Sequence, residues 1–113
     1  MSVQQVETWL RADTFIAMNT VVTVGGEFEI CEATNGDGAI GVTSKGMQQG
    51  EEECYCIVRS GRAKAVAYEP IAKGDYLSAG PVGTVMRTAK PSLFNFARAL
   101  TAGDKGDLIE ILI

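Results

Sequence analysis

An all-β domain is what this sequence predicts: a small barrel or sandwich of short strands, preceded by an N-terminal arm at residues 1–13. Three observations carry the prediction. Short runs rich in valine, isoleucine and threonine alternate with polar residues at period two, as half-buried strands do. A glycine followed by an acid and then a strand-like run recurs at Gly26-Glu27, Gly50-Glu51, Gly74-Asp75 and Gly106-Asp107, the first three evenly spaced. That pattern reads as a tight turn feeding a strand. The intervening sequences do not match one another, so it is not a solenoid. Finally, Asn35-Gly36-Asp37-Gly38 is a strong turn signal between two apolar runs.

The elements follow in chain order. In residues 1–13, Val3, Val6 and Leu10 share one helical face with Trp9 beside it, and there is no glycine or proline. The segment reads as a short amphipathic helix or as an arm that orders on a partner. A helix this short is marginal alone and needs a surface to pack on. The remainder, 14–113, reads as one β domain. Thr20 to Val24 forms a strand ended by Gly25-Gly26, and Phe28 and Ile30 alternate with Glu27 and Glu29. Ala39 to Thr43 is a short apolar run. In Glu53 to Arg59, Cys54, Cys56 and Val58 point one way and Tyr55 and Ile57 the other; both sets are apolar, so this strand is expected to be covered on both faces. Arg62 to Tyr68 alternates basic and small residues. Gly80-Pro81-Val82-Gly83 is a turn. Residues 92–100 fit either a helical face (Leu93, Phe96, Ala97, Leu100) or one face of a strand (Phe94, Phe96, Arg98). Leu108 to Ile113 is an apolar strand expected to be tied into a sheet.

The 113 residues, 46% of them hydrophobic and 21% charged, suffice for one domain with one modest core. A net charge of −4 argues against a nucleic-acid surface, despite the local cluster Arg59, Arg62 and Lys64. No apolar run reaches the length needed to span a bilayer. The start lacks a secretory pattern, and the odd number of cysteines (Cys31, Cys54 and Cys56) suits a reducing compartment; synthesis in a cytoplasm is expected. There is no histidine, which removes the commonest general base and metal ligand and rules out Ser-His-Asp and Cys-His arrangements. Cys54-Tyr55-Cys56 lacks the partners of a structural zinc site and reads as core thiols. Glu51-Glu52-Glu53 and the 35–37 turn lack calcium-loop spacing and read as solvated turns. No catalytic residue, cofactor, metal or small-molecule substrate is expected.

A further set of segments lies in a fixed order: Ala39-Ile40-Gly41-Val42-Thr43; Gly50-Glu51 and a strand; Arg59-Ser60-Gly61-Arg62-Ala63-Lys64-Ala65; Pro70-Ile71-Ala72-Lys73-Gly74-Asp75-Tyr76-Leu77; Gly83-Thr84-Val85; Ala97-Arg98-Ala99-Leu100; and Gly106-Asp107-Leu108-Ile109-Glu110-Ile111-Leu112. In order and spacing, residues 39–113 resemble the small capsid decoration, or cement, proteins of tailed bacteriophages. Residues 1–38 match that family poorly, and Arg87 to Phe96 is unlike its usual polar loop. The resemblance implies a compact β-barrel or β-tulip domain, with 92–100 a strand. It implies a homotrimer on the capsid exterior of the virion that clamps neighbouring major capsid protein subunits, without cofactor, catalysis, nucleic acid or membrane.

On that reading three linked, modest contacts gain strength through effective concentration. The first candidate contact is the arm, with Val3, Val6, Trp9 and Leu10 as apolar anchors, or as a strand added to a capsid sheet edge. The equal alternative is that the arm folds back and caps its own barrel. Phe94 and Phe96 are second candidates, with core packing favoured for both. Two other classes compete: a small β ligand- or carbohydrate-binding module, opposed by the single tryptophan, and a metabolic enzyme subunit, opposed by the missing histidine.

Overall fold

The computed structural model describes residues 6–12, 14–25, 29–35, 37–49, 52–88 and 95–113. Among these the chain forms ten strands: β1 (Val6–Ala12), β2 (Val21–Val24), β3 (Ile30–Glu32), β4 (Ala39–Gln49), β5 (Glu52–Ser60), β6 (Arg62–Val66), β7 (Tyr76–Ala79), β8 (Val85–Thr88), β9 (Asn95–Ala99) and β10 (Leu108–Leu112). The first five close into a barrel in the order β1-β3-β2-β4-β5; the second five form an antiparallel sheet in the order β6-β10-β9-β7-β8.

The barrel is built around the long β4–β5 hairpin. β5 is buried on both faces, as its sequence predicts: Cys54, Tyr55, Cys56, Ile57 and Val58 are all buried. Tyr55 and Ile57 point into the barrel with Ala12, Ile16, Val22 and Ile30, while Leu10 and Ile40 close the sides. Gly46 stands opposite Tyr55. A Cβ there would lie 2.8 Å from the tyrosine ring, so the glycine makes the space that the largest buried side chain occupies. The helix reading of residues 1–13 is overturned for residues 6–12, which form β1. β1 runs antiparallel to β5 along its length and closes the barrel through one parallel pair, Ala12 with Ile30. A helix would satisfy its own backbone but leave the edge of β5 unpaired and the barrel open. The chain thus folds back on its own barrel here, and the boundary drawn at residue 13 follows a barrel stave.

A second core joins barrel to sheet. Val21 and Val42 on the barrel's outer wall, with Ala33, pack against Leu77, Val85, Ile109 and Ile111 of the sheet. Each large side chain sealed here contributes roughly 1.5–3 kcal/mol. Adjacent residues Val21 and Val22 therefore serve different cores, which explains an unbroken valine pair on so short a strand. The single core expected from chain length is in fact two.

The turns entering β7 and β10 are built alike. In one, the Ala72 N–H donates to Asp75 Oδ2 (2.8 Å) and the Asp75 N–H to the Ala72 carbonyl (3.1 Å). In the other, the Asp104 N–H donates to Asp107 Oδ2 (2.9 Å) and the Asp107 N–H to the Asp104 carbonyl (3.0 Å). Gly74 and Gly106 precede the aspartates at φ 91° and 90°, the left-handed geometry that the third position of a type II turn demands. The Gly-Asp signal thus marks a turn locked from both sides. Thr34 and Asp37 repeat the same pair of bonds before β4. Gly26 and Gly50 lie outside the described residues. The 95–99 segment is a strand, as the resemblance implies.

Candidate functional site

The sequence analysis places contact residues on one arm, and the structure disperses them. A helix would bring Val6, Trp9 and Leu10 together, but a strand turns neighbours to opposite sides. Leu10 points inward onto the barrel core. Val6 and Trp9 remain exposed, at 52% and 47%. Trp9 lies on the outer wall opposite Cys56. Val3 and Phe94 lie outside the described residues. Phe96 packs against the second core as a half-buried residue. It is skipped in the β7–β9 register, where Leu77 pairs with Ala97 and Ser78 with Asn95. That bulge explains why the period of 95–99 is hard to read.

Around Trp9 the outer wall is polar and ordered. The buried Cys56 thiol donates to Glu7 Oε2 at 3.0 Å. Burial pushes the thiol's pKa up, and the bond to the Glu7 carboxylate adds to the rise, so it remains a thiol at neutral pH and a poor nucleophile. None of the three cysteines forms a disulfide; Cys54 and Cys56 are buried and Cys31 half-buried. Arg11 and Glu29 bridge β1 to the start of β3, with Nε to Oε1 at 3.3 Å and the Arg11 N–H to the same oxygen at 3.1 Å.

At the barrel mouth the link from β1 to β2 is held by Tyr55. Its hydroxyl accepts from the Ile16 N–H at 2.7 Å and donates to Glu53 Oε2 at 3.3 Å. Burial is the main cause of its raised pKa. With Ile16 turned inward, Phe15 is thrown outward, 77% exposed. Sequence reasoning missed Phe15. The available signal was an apolar stretch, Phe15 to Met18, too short for two faces to be filled.

Two concavities flank the sheet. One, of about 230 Å³, lies where barrel meets sheet and is lined by Asn19, Thr43, Ser44, Arg62, Lys64 and Glu110. The other, of about 450 Å³, lies between Ile71, Arg87, Gly103 and Asp104. Among the described residues, no group of three or more Cys, Asp or Glu side chains is placed to hold a metal ion. The sheet's outer face carries exposed Leu108, opposite Val66, and exposed Leu112, between Arg62 and Arg98. Arg98 is committed locally: it donates to the Gly74 carbonyl at 2.9 Å and stacks on Tyr76 at 4.5 Å. The described surface thus presents separate exposed apolar side chains, Val6, Trp9, Phe15, Leu108 and Leu112 among them.

No protein-family model matches the chain, and no curated protein matches it. Among solved structures, the chain is similar to the crystal structure of the head fiber gp8.5 N base in bacteriophage phi29. The TM-score is 0.75 at 23% sequence identity, over 97% of this chain and 94% of that one. The likeness therefore covers both the barrel and the sheet, and it establishes the fold.

Proposed function

We propose that this chain is a structural virion protein of a tailed bacteriophage, seated on the outside of the head, where it contacts neighbouring major capsid subunits and staples them as a homotrimer. The observation that carries the reading is the shared fold, along almost the whole chain, with a protein of a phage head fiber. The order of segments over residues 39–113 supports the same assignment independently. The surface fits the role: Trp9 and Phe15 are large exposed apolar groups on a scaffold locked by paired strands and short turns, and aromatic groups of this kind dominate binding energy at interfaces. The role needs no catalytic step.

The test is binding to heads that lack the protein, prepared from the phage that encodes it. Co-sedimentation that saturates at a fixed ratio to the shell protein is expected. In solution, or on the shell, the assembled species is expected at three times the 12.0 kDa of the chain. No association with such heads at micromolar protein would defeat the assignment. Association at a stoichiometry not divisible by three would retain the head protein and discard the trimer. Replacement Trp9→Ala is expected to weaken binding without loss of folding, because the indole lies on the outer wall.

A further inference from the structure

The turn between β7 and β8 is held in a conformation its sequence opposes. Val82 has φ 55° and ψ 45°, and Gly83 has φ 70°. Two successive residues at positive φ define a type I′ turn, whose first central position favours Asn, Asp or Gly. A β-branched residue there is an outlier, because its Cβ crowds the backbone. Among the described residues one other non-glycine has positive φ, and it is Asn19, a type that tolerates it.

The surroundings enforce this geometry. The Gly80 N–H donates to the Thr84 carbonyl at 2.8 Å, and the Thr84 N–H and hydroxyl both reach the Pro81 carbonyl. The Gly83 N–H donates to the Ala33 carbonyl at 2.8 Å, which ties the turn to the barrel. A Cβ on Gly83 would overlap Thr20 Cγ2, so the backbone is pressed against its neighbour. Proline fixes the residue before Val82. The valine side chain gains nothing from this, since it is 72% exposed and belongs to neither core. Strained residues that the surrounding structure over-determines cluster at functional positions.

We propose that Val82 is a preformed contact knob, an apolar tip that inserts into a shallow apolar dimple on a protein partner. Resting on the function proposed above, that partner is the shell protein of the head. The knob loses little freedom on binding, since its backbone is already fixed, and this lowers the cost of association. Glu32, an exposed acid beside Gly83, favours a dimple edged by a Lys or Arg.

The experiment compares wild type, Val82→Asn and Val82→Ile for melting temperature and for binding to undecorated heads. Asparagine suits the turn and removes the tip. It is expected to raise the melting temperature by about 4 °C and to weaken head binding by about tenfold or more. Isoleucine keeps the branched tip and is expected to bind within about threefold of wild type. If wild type binds and Val82→Asn binds equally well, the knob is refuted while the head assignment stands. If Val82→Asn lowers both melting temperature and binding, the side chain supports the turn and the knob is likewise refuted. If wild type itself fails to bind, the head assignment fails and takes the knob with it.

Discussion

The turns Ala72–Asp75, Asp104–Asp107 and Pro81–Thr84 all serve the same sheet, yet their residues suit them to different degrees. The first two carry residues suited to their own geometry: glycine where φ is positive, and aspartate where its carboxylate reaches back to a backbone N–H. They too are tied across the sheet, the Gly74 N–H to the Ala99 carbonyl and the Gly106 N–H to the Ala67 carbonyl, but their own residues already suit the geometry. The third places valine where φ is 55° and is held by contacts distant in sequence, to Ala33 and Thr20. In the first two turns the local choice of residue agrees with the global fold. In the third, the local choice at Val82 conflicts with the fold, and bonds to the rest of the structure help to hold it. The difference teaches which positions serve the fold and which are tolerated by it.

Substitutions that hold chemistry constant and change the turn test this contrast. The largest effect is expected for Gly83→Ala, at roughly 2–4 kcal/mol, since a methyl group meets a buried, short side chain that cannot swing away and also occupies a left-handed position. Urea denaturation measures it; a cost under about 1 kcal/mol would show that the turn is not pressed onto the barrel. Next comes Asp107→Ala, expected to cost about 1–2 kcal/mol by removing the acceptor for the Asp104 N–H. Asp107→Asn, whose side-chain oxygen still accepts, is expected to retain most of the stability. Gly106→Ala follows at about 1 kcal/mol. It shares the positive φ of Gly83 but has nothing within 4 Å of the added methyl, so the two glycines separate backbone cost from packing cost.

The smallest effect is on pH dependence, which contrasts the locally closed turns with the Tyr55-held barrel mouth. Tyr55 and Cys56 have pKa values raised above their ordinary 10.0 and 9.0, chiefly by burial. The unfolded chain therefore releases these protons at lower pH than the folded one. Their contribution is complete below the unfolded values and is lost as pH climbs from about 9 through the folded values. Melting temperature is expected to fall as pH rises above about 9, and Tyr55→Phe to flatten the upper part of that fall. A fall unchanged by Tyr55→Phe would assign it to other groups.

The sheet half was the more legible. β6 and β10 follow from alternation, and the entries to β7 and β10 from Gly-Asp. β5 was read correctly as covered on both faces because its two sets of alternating residues are both apolar. β1 was not legible. Val3, Val6 and Leu10 satisfy a helical period as well as Thr8, Leu10 and Ala12 satisfy a strand, and a short segment holds too few residues to separate the two. Of the candidate contacts, Trp9 is exposed, Leu10 is turned inward by the change of period, and Phe96 packs against the core at a bulge. The 80–83 turn was visible, but nothing local announced the strain in it, since valine is an ordinary residue until its φ is known.

By itself the sequence determined the all-β class, the sites of the locked turns and the doubly buried strand, because these rest on neighbours a few residues apart. Only the tertiary structure decided that residues 6–12 close a barrel, that Val21 and Val22 serve separate cores, and that Val82 stands strained and exposed. Each of those depends on what lies across the sheet rather than along the chain: the unpaired edge of β5, the second sheet packed on the barrel wall, and the Ala33 carbonyl that holds Gly83 in place.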